Sequence, residues 1–580
     1  MFKQKRWDLS ELLPATSGSK FEKYLNELEH RVKKFESFRK ELKPGINAKR
    51  FLQMVSFSEE LFEMASRIGA YPSLQCEADV ADPKAIALKT RVETFLTHLA
   101  NRTLFFSLFW KKLDEKNVNR ILKEAGKYTY YLKYLRKLKP YILKENEEQI
   151  INLKDLTGAN TLDNLYSTIT GKLLFDFNGK KLTQGEILKL VRDPNPKTRE
   201  KAYTVFLDKY SENKEILGEI FKALILDWKN ENLLLRKFKK PISPRNLAND
   251  IPDDVIETVF EVCKENNHIF NEYFKLKAKT LGIKLTRYDL YAPVGKESNK
   301  IPFSKAVDLS LDNFKQLSPE FHNNALKIFK KDHVDSEVRK NKCPGAFCAS
   351  ISPKLLPYIL TNYTGNPRDV LTIAHELGHG IHSIFASKNP LFTFHSGLPL
   401  AETASVFSET MMFDRLVELA DKNTKKNLLF SHLDEIYATV SRQIHFAMFE
   451  KEIHSKISEV HSIEEISKIY YKSIQQSLGN LMKVPEKFSW EWLHVSYIFQ
   501  TPFYAYAYSF GNLLALALYE QFKKDGKKTI PKLINILSAG GNQEPVKLLL
   551  KNGFDIRKKE FWQQGFDKIK AMVEELKELT

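Results

Sequence analysis

Cysteine is scarce in this chain: four residues, Cys76, Cys263, Cys343 and Cys348, among 580. So few thiols leave no basis for a disulfide framework, and Cys343 and Cys348 have no second pair nearby to complete a structural zinc knuckle. Long apolar runs are missing as well. The best stretch, Phe503–Tyr519, is interrupted by Ser509, Gly511 and Asn512 and falls short of the ~18 uninterrupted apolar residues of a membrane span. The opening residues, MFKQKRWDLSELLP, lack the apolar core of a signal peptide, so the expected setting is cytoplasmic. There is no internal repeat and no low-complexity tract.

Positive charge, by contrast, is in excess, at a formal +18. A basic surface can mark a nucleic-acid or membrane partner. Here the lysines are dispersed, and runs such as Lys237–Lys240 are too short to form a tail. The densest aromatic and basic stretch, Tyr128–Tyr141, reads as one amphipathic helix whose Lys and Arg stems lie over an apolar stripe. No nucleic-acid partner and no membrane partner is therefore expected. With 43% apolar and 28% charged residues, the composition is that of a folded globular chain long enough for more than one domain.

Apolar residues recur at helical spacing from Phe21 to about Leu190, for example Phe51, Val55, Leu61 and Phe62. A single hairpin is expected at Leu173–Leu182, turning at Asn178-Gly179. Asp193-Pro194-Asn195-Pro196 punctuates the pattern, which divides the chain into an N-terminal helical lobe, 1–192, and a second domain, 193–580, whose last helices are expected to pack on both. Strand signals cluster at Thr286–Pro293 and Gly345–Thr364, so a small β-sheet is expected beside the site that follows. The expected fold class is mainly α.

That site begins in Arg368–Ser387 (RDVLTIAHELGHGIHSIFAS), a helix pattern apolar nearly all round. Positions four apart share a helix face, so His375 and His379 can offer two imidazoles to one metal, with Glu376 beside them as a base. With 14 histidines in 580 residues, a random chain of this composition holds about 0.02 such H-E-x-x-H matches. A catalytic zinc usually takes a third protein ligand. A second apolar helix, Leu400–Arg415, carries Glu402 and Glu409 nearly two turns apart, which makes Glu402 a candidate third ligand and Glu409 a partner for a ligating imidazole. His382 and His395 compete for the same role. His382 is otherwise a packed or supporting histidine. One zinc per chain acidifies water, and Glu376 then serves as its base. The tyrosine-dense segment Tyr497–Tyr508 offers Tyr504, Tyr506 and Tyr508 as phenols for the oxyanion.

These landmarks resemble the thimet oligopeptidase and oligoendopeptidase F family of zinc metallopeptidases, most closely the oligoendopeptidase F branch. They run from Arg6-Trp7-Asp8-Leu9 through Tyr288-Asp289-Leu290-Tyr291-Ala292-Pro293, Gly345-Ala346-Phe347-Cys348 and Asn362-Tyr363-Thr364-Gly365. The later ones are His375-Glu376-Leu377-Gly378-His379, Ala401-Glu402-Thr403-Ala404-Ser405, Pro502-Phe503-Tyr504 and Ser538-Ala539-Gly540-Gly541. The resemblance implies a two-lobed helical ellipsoid with a deep channel that admits unstructured peptides, and cleavage at internal bonds of oligopeptides. It implies Glu402 as the third ligand, Glu409 as its support and Tyr506 as the tyrosine facing the scissile carbonyl. It further implies an edge strand at Asn362–Gly365 that pairs with the substrate backbone. Gly345, Asn362, Tyr363 and Tyr504 are the implied substrate contacts. Where the family usually has Pro-His, this chain has Ser496-Tyr497, which leaves Tyr497 and His494 to fill that histidine's role.

Overall fold

The computed structural model describes residues 2–13, 18–295, 300–478 and 481–580. Helices dominate and the sheets are small. The chain forms two compact units, each built from three segments. The first comprises Met1–Gln149, Ser298–Arg415 and Gln521–Phe554; the second comprises Ile150–Glu297, Leu416–Glu520 and Asp555–Thr580.

In the first unit, two long consecutive helices, Ala48–Ala78 and Pro83–Lys112, pack on each other. The break between them has a local cause. Asp82 accepts the Lys84 N–H at 2.9 Å and Pro83 takes the first helical position, where a missing N–H costs nothing. Phe51, Met54, Val55, Ile68, Val92 and Trp110 are fully enclosed between these helices and their neighbours. Each such side chain contributes roughly 1.5–3 kcal/mol by leaving water.

The Tyr128–Tyr141 stretch is not one helix. Short 3-10 turns at Gly126–Tyr128 and Lys139–Tyr141 flank an α-helix at Thr129–Lys137, because Pro140 cannot continue it. Its Arg136 donates to the carbonyls of Trp110, Lys111 and Leu113, at the C-terminal end of the long helix Pro83–Lys112.

Five short strands occur among the described residues: β1 (Phe175–Phe177), β2 (Lys180–Leu182), β3 (Val334–Asp335), β4 (Phe347–Ala349) and β5 (Tyr358–Leu360). In the first unit β5 is the middle strand, parallel to β3 and antiparallel to β4, with Ile359 opposite both Val334 and Cys348. All three β5 residues are buried. The expected edge strand at Asn362–Gly365 is therefore displaced: the strand ends at Leu360 and is central, which leaves β4 as an outer strand.

In the second unit β1 and β2 form the expected hairpin. Asn178 and Gly179 both adopt positive φ, the requirement of a type I′ turn. After Asp193-Pro194, Asn195 caps a helix at Pro196–Ser211. Thr286–Pro293 is not a strand, apart from an isolated bridge between Thr286 and Lys483. Thr286 and Asp289 close a reciprocal cap around a 3-10 turn, Arg287–Asp289. The charges of Arg287 and Asp289 go into buried ion pairs with Glu491 and Arg199, which fixes the turn against extension. Phe503–Tyr519 lies mostly within a buried helix, Tyr506–Asp525. Among the described residues no helix is long and apolar enough to cross a membrane.

Candidate active site

The metal-motif helix runs from Pro367 to Ala386. Asn366 and Asp369 form a reciprocal cap at its start, and Asp369 Oδ2 also accepts from the Thr364 N–H and hydroxyl at 2.7 Å. Val370, Ile373, Ala374, Leu377 and Ile381 bury this helix and fix its rotation. His375 and His379 then fall one turn apart on one face, their rings 5.0 Å from centroid to centroid.

Glu402 does not lie within one continuous helix as the spacing suggests. It sits at the junction between a short turn, Leu398–Ala401, and the helix Thr403–Leu419. The junction presses close to the metal-motif helix at Gly378, where an added Cβ would stand 2.6 Å from the Ala404 carbonyl oxygen. Glu402 Oε2 thereby comes within 3.3 Å of His375 Nε2 and 3.4 Å of His379 Nε2. Three ligand atoms placed tetrahedrally at 2.0–2.1 Å from a zinc would stand about 3.4 Å apart, so the donor set and its spacing both fit the ion. Ser405 donates to the same carboxylate oxygen at 2.8 Å and holds its rotamer.

Two turns along Thr403–Leu419, Glu409 Oε2 lies 2.8 Å from His375 Nδ1. That contact selects the tautomer which turns Nε2 toward Glu402. The charges agree with a cation site. Burial works against charge on both His375 and Glu402, yet the hydrogen bonds between them prevail, keeping Glu402 well below the usual carboxylate range and His375 well above the usual imidazole range.

Glu376 is 6% exposed and its Oε2 has no hydrogen-bond partner among the described residues. Burial raises its pKa, against the pull of His375 and His379. A buried carboxylate oxygen left without a protein partner suits a group that exchanges a proton with water or substrate. Cys348 of β4 is close enough to feel the charge of Glu376, and burial, with that charge, raises its thiol pKa well above the ordinary value.

The histidine rivals are placed elsewhere. His382 is buried, bonded to the Ala401 backbone, and lowered to about 4 by burial. Among the described residues, His375 and His379 are the histidines that join Glu402 in this metal-type grouping, and His395 is exposed.

The other expected contacts are placed as follows. Tyr506 is fully buried with its hydroxyl accepting from Asn249 at 2.7 Å. Tyr363 is buried and donates to the Ile301 carbonyl at 2.6 Å. Asn362 donates to the carbonyls of Cys343 and Gly345, both at 2.9 Å, and pins that loop. Gly345 itself is exposed. Tyr497 donates to Gln443, and its ring gathers with the half-buried Tyr504 and Tyr508. His494 packs against Phe206 and Tyr210, where burial lowers it to about 4. Sequence reasoning overlooked Gly378 and Ser405 as positioning residues. Their signal was present, as the one small residue inside H-E-L-G-H and a hydroxyl one turn after Glu402.

Comparison with known proteins bears directly on this geometry. The family described as Peptidase family M3 matches residues 189–568, and the family described as Oligopeptidase F matches residues 110–175. The oligoendopeptidase F homolog of Borreliella burgdorferi is 28% identical, over 99% of this chain and 98% of that protein. Oligopeptidase PepF of Bacillus subtilis is 24% identical, over 99% and 87%. The crystal structure of oligoendopeptidase-F from Enterococcus faecium superposes with a TM-score of 0.74 at 22% identity, covering 96% of this chain and 98% of that one. Metallopeptidases of family M3 are in general zinc-dependent. A match over most of the chain, joined to a His-His-Glu cluster at metal spacing, leads to one conclusion: the chain belongs to peptidase family M3, among the oligoendopeptidase F relatives, and is a metalloendopeptidase.

Proposed function

We propose that this protein is a zinc-dependent endopeptidase that hydrolyses internal bonds of short, unstructured oligopeptides in the cytoplasm, with His375, His379 and Glu402 as ligands and Glu376 as general base. The observation that carries the reading is the convergence of the three ligand atoms beside a buried carboxylate with a free oxygen. A zinc ion held there supplies Lewis acidity at a peptide carbonyl and lowers the pKa of water.

The chain's own residues do the rest. Glu376 takes a proton from the attacking water. Because burial favours its protonated form, it can return that proton to the amine nitrogen as the C–N bond breaks. Water and peptide become one carboxylate and one amine, with nothing left over. Glu409 keeps His375 in the ligating tautomer, and Ser405 keeps the Glu402 oxygen aimed at the imidazoles. The four cysteines, none of them paired, agree with the proposed compartment.

The test is mass-spectrometric mapping of cuts in a peptide mixture, with and without a chelator, for the natural chain and Glu376→Gln. The expected outcome is internal cleavage that the chelator abolishes, and a loss of about 10²–10⁴-fold in Glu376→Gln with its zinc content intact. Full activity in that variant would mean that the zinc is structural only.

A further inference from the structure

The unit that carries the metal cluster also contains an open groove of about 590 Å³, between the helices Ala48–Ala78 and Pro83–Lys112 on one side and Ser350–Ile351 and Leu391–His395 on the other. The described residues that line it include no Asp, Glu, Lys or Arg, in a chain where such residues make up 28%. Small residues along one helix, among them Ala65, Ser66 and Gly69, leave the space open. At the rim, Phe62 is 52% exposed and its ring lies 5.8 Å from that of Phe392. An apolar cleft of roughly 300–1,000 Å³ with exposed aromatic surface is the form of a binding site rather than of a packing defect.

Its position ties it to the reaction. The chain leaves β4 directly through Ser350 and Ile351, which form part of the groove. The Ser350 hydroxyl hydrogen-bonds that of Ser383, which in turn bonds the backbone carbonyl of the ligand His379 at 3.1 Å. Among the described residues β4 pairs with no strand but β5, and the side chains of an extended peptide added at its other edge would alternate toward and away from the groove. The opposite wall is held in place from elsewhere in the unit. The Gly541 N–H donates to the Thr393 carbonyl at 2.9 Å, and a Cβ at Gly541 would stand 2.2 Å from the His395 carbonyl oxygen.

We propose that this groove is a side-chain subsite of the peptidase, which admits a large apolar or aromatic residue of a peptide paired along β4 and so sets the cleavage preference. The proposal rests on the reading that the His375, His379 and Glu402 cluster hydrolyses peptides. A charged side chain would lose its hydration there without gaining a partner, and a small one would leave the groove wet.

The test uses the zinc-loaded full chain and a peptide series carrying Phe, Leu, Gly, Lys or Glu in turn at each position flanking the cut. At one position, kcat/KM should favour Phe or Leu over Gly by about tenfold or more. Ser66→Glu and Ala100→Trp should each bring that ratio toward one, whereas Leu153→Lys, at an exposed site of the other unit, should keep it. Ala100 is exposed, so its variant reads the groove even if Ser66→Glu does not fold. Lack of an apolar preference at every position, or an undiminished ratio in both groove variants, would overturn the proposal. A chain that cuts none of the peptides would instead refute the hydrolytic reading beneath it.

Discussion

Gly378 and Ala404 approach so closely that a single methyl group on the former would lie 2.6 Å from the carbonyl oxygen of the latter. This contact brings Glu402 up to two imidazoles borne on another helix, and it exists because the residue between the motif histidines has no side chain. Gly378→Ala should therefore separate the ligands. A loss of about 1–3 kcal/mol in stability from overpacking is expected, together with weaker zinc binding. Thermal unfolding and zinc titration would check both, and wild-type affinity would show that the junction yields without moving Glu402.

Glu409 lies 2.8 Å from His375 Nδ1, so in the proposed site it supports the metal through that imidazole. Glu409→Ala should lower zinc affinity by about 10–100-fold, while kcat at saturating zinc falls less. Competition titration against a chelating dye would measure this. If kcat collapsed at full zinc occupancy, Glu409 would have a direct part in the chemistry.

The pH dependence of stability should carry a mark from Glu450. This fully buried carboxyl accepts the Phe503 N–H at 2.7 Å, and Phe503 is held at a positive φ of 59°. Burial pushes Glu450 up to about 8, against the pull of the Phe503 amide and Arg245; His454 stands one turn along the same helix. An unfolded glutamate titrates near ~4.3. With the folded value raised, the contribution is complete below about pH 4.3 and is lost as pH rises through about 8. Glu450→Gln, which keeps an oxygen acceptor, should flatten the fall in stability between pH 6 and pH 9 by up to a few kcal/mol. Urea midpoints at the two pH values would show it, and parallel curves for variant and wild type would contradict it.

Glu491 neutralises two guanidinium groups, from Arg287 at 2.5 Å and Arg442 at 3.0 Å, and also accepts from Tyr470 at 2.9 Å. Both Arg287 and Glu491 are 3% exposed. Glu491→Ala should cost about 3–5 kcal/mol in chemical denaturation because it strands buried positive charge. A loss below about 1 kcal/mol would mean that water reaches the pair.

How far the chain could be understood before folding differs residue by residue. The Asn178-Gly179 turn and the Asn366 and Asp369 cap are local, since their backbone geometry depends on side chains within three residues. The two histidines were legible for the same reason, because helical periodicity alone brings positions four apart together. Glu402 was visible only as a same-face carboxylate, and its place at a helix junction depends on contact with Gly378. The sequence could not place Tyr363 and Tyr506, because an aromatic with a hydroxyl suits a site and a core equally. Ile301 and Asn249, distant in sequence, supply the partners of their buried hydroxyls. Thr286–Pro293 has strand composition but forms a turn, since its charged residues pair with Arg199 and Glu491.

The sequence by itself determined the metal-motif helix with its two same-face histidines, the mainly helical class and the hairpin, all consequences of short-range periodicity and backbone preference. The tertiary structure alone decided which carboxylate completes the cluster, which strand is left at the sheet's edge, and that an uncharged groove lies beside it. It also decided that segments far apart in the chain interleave into two units. These features arise from contacts such as Phe62 with Phe392 or Gly378 with Ala404, which form only when burying apolar surface outweighs the entropy of closing the long loops between them.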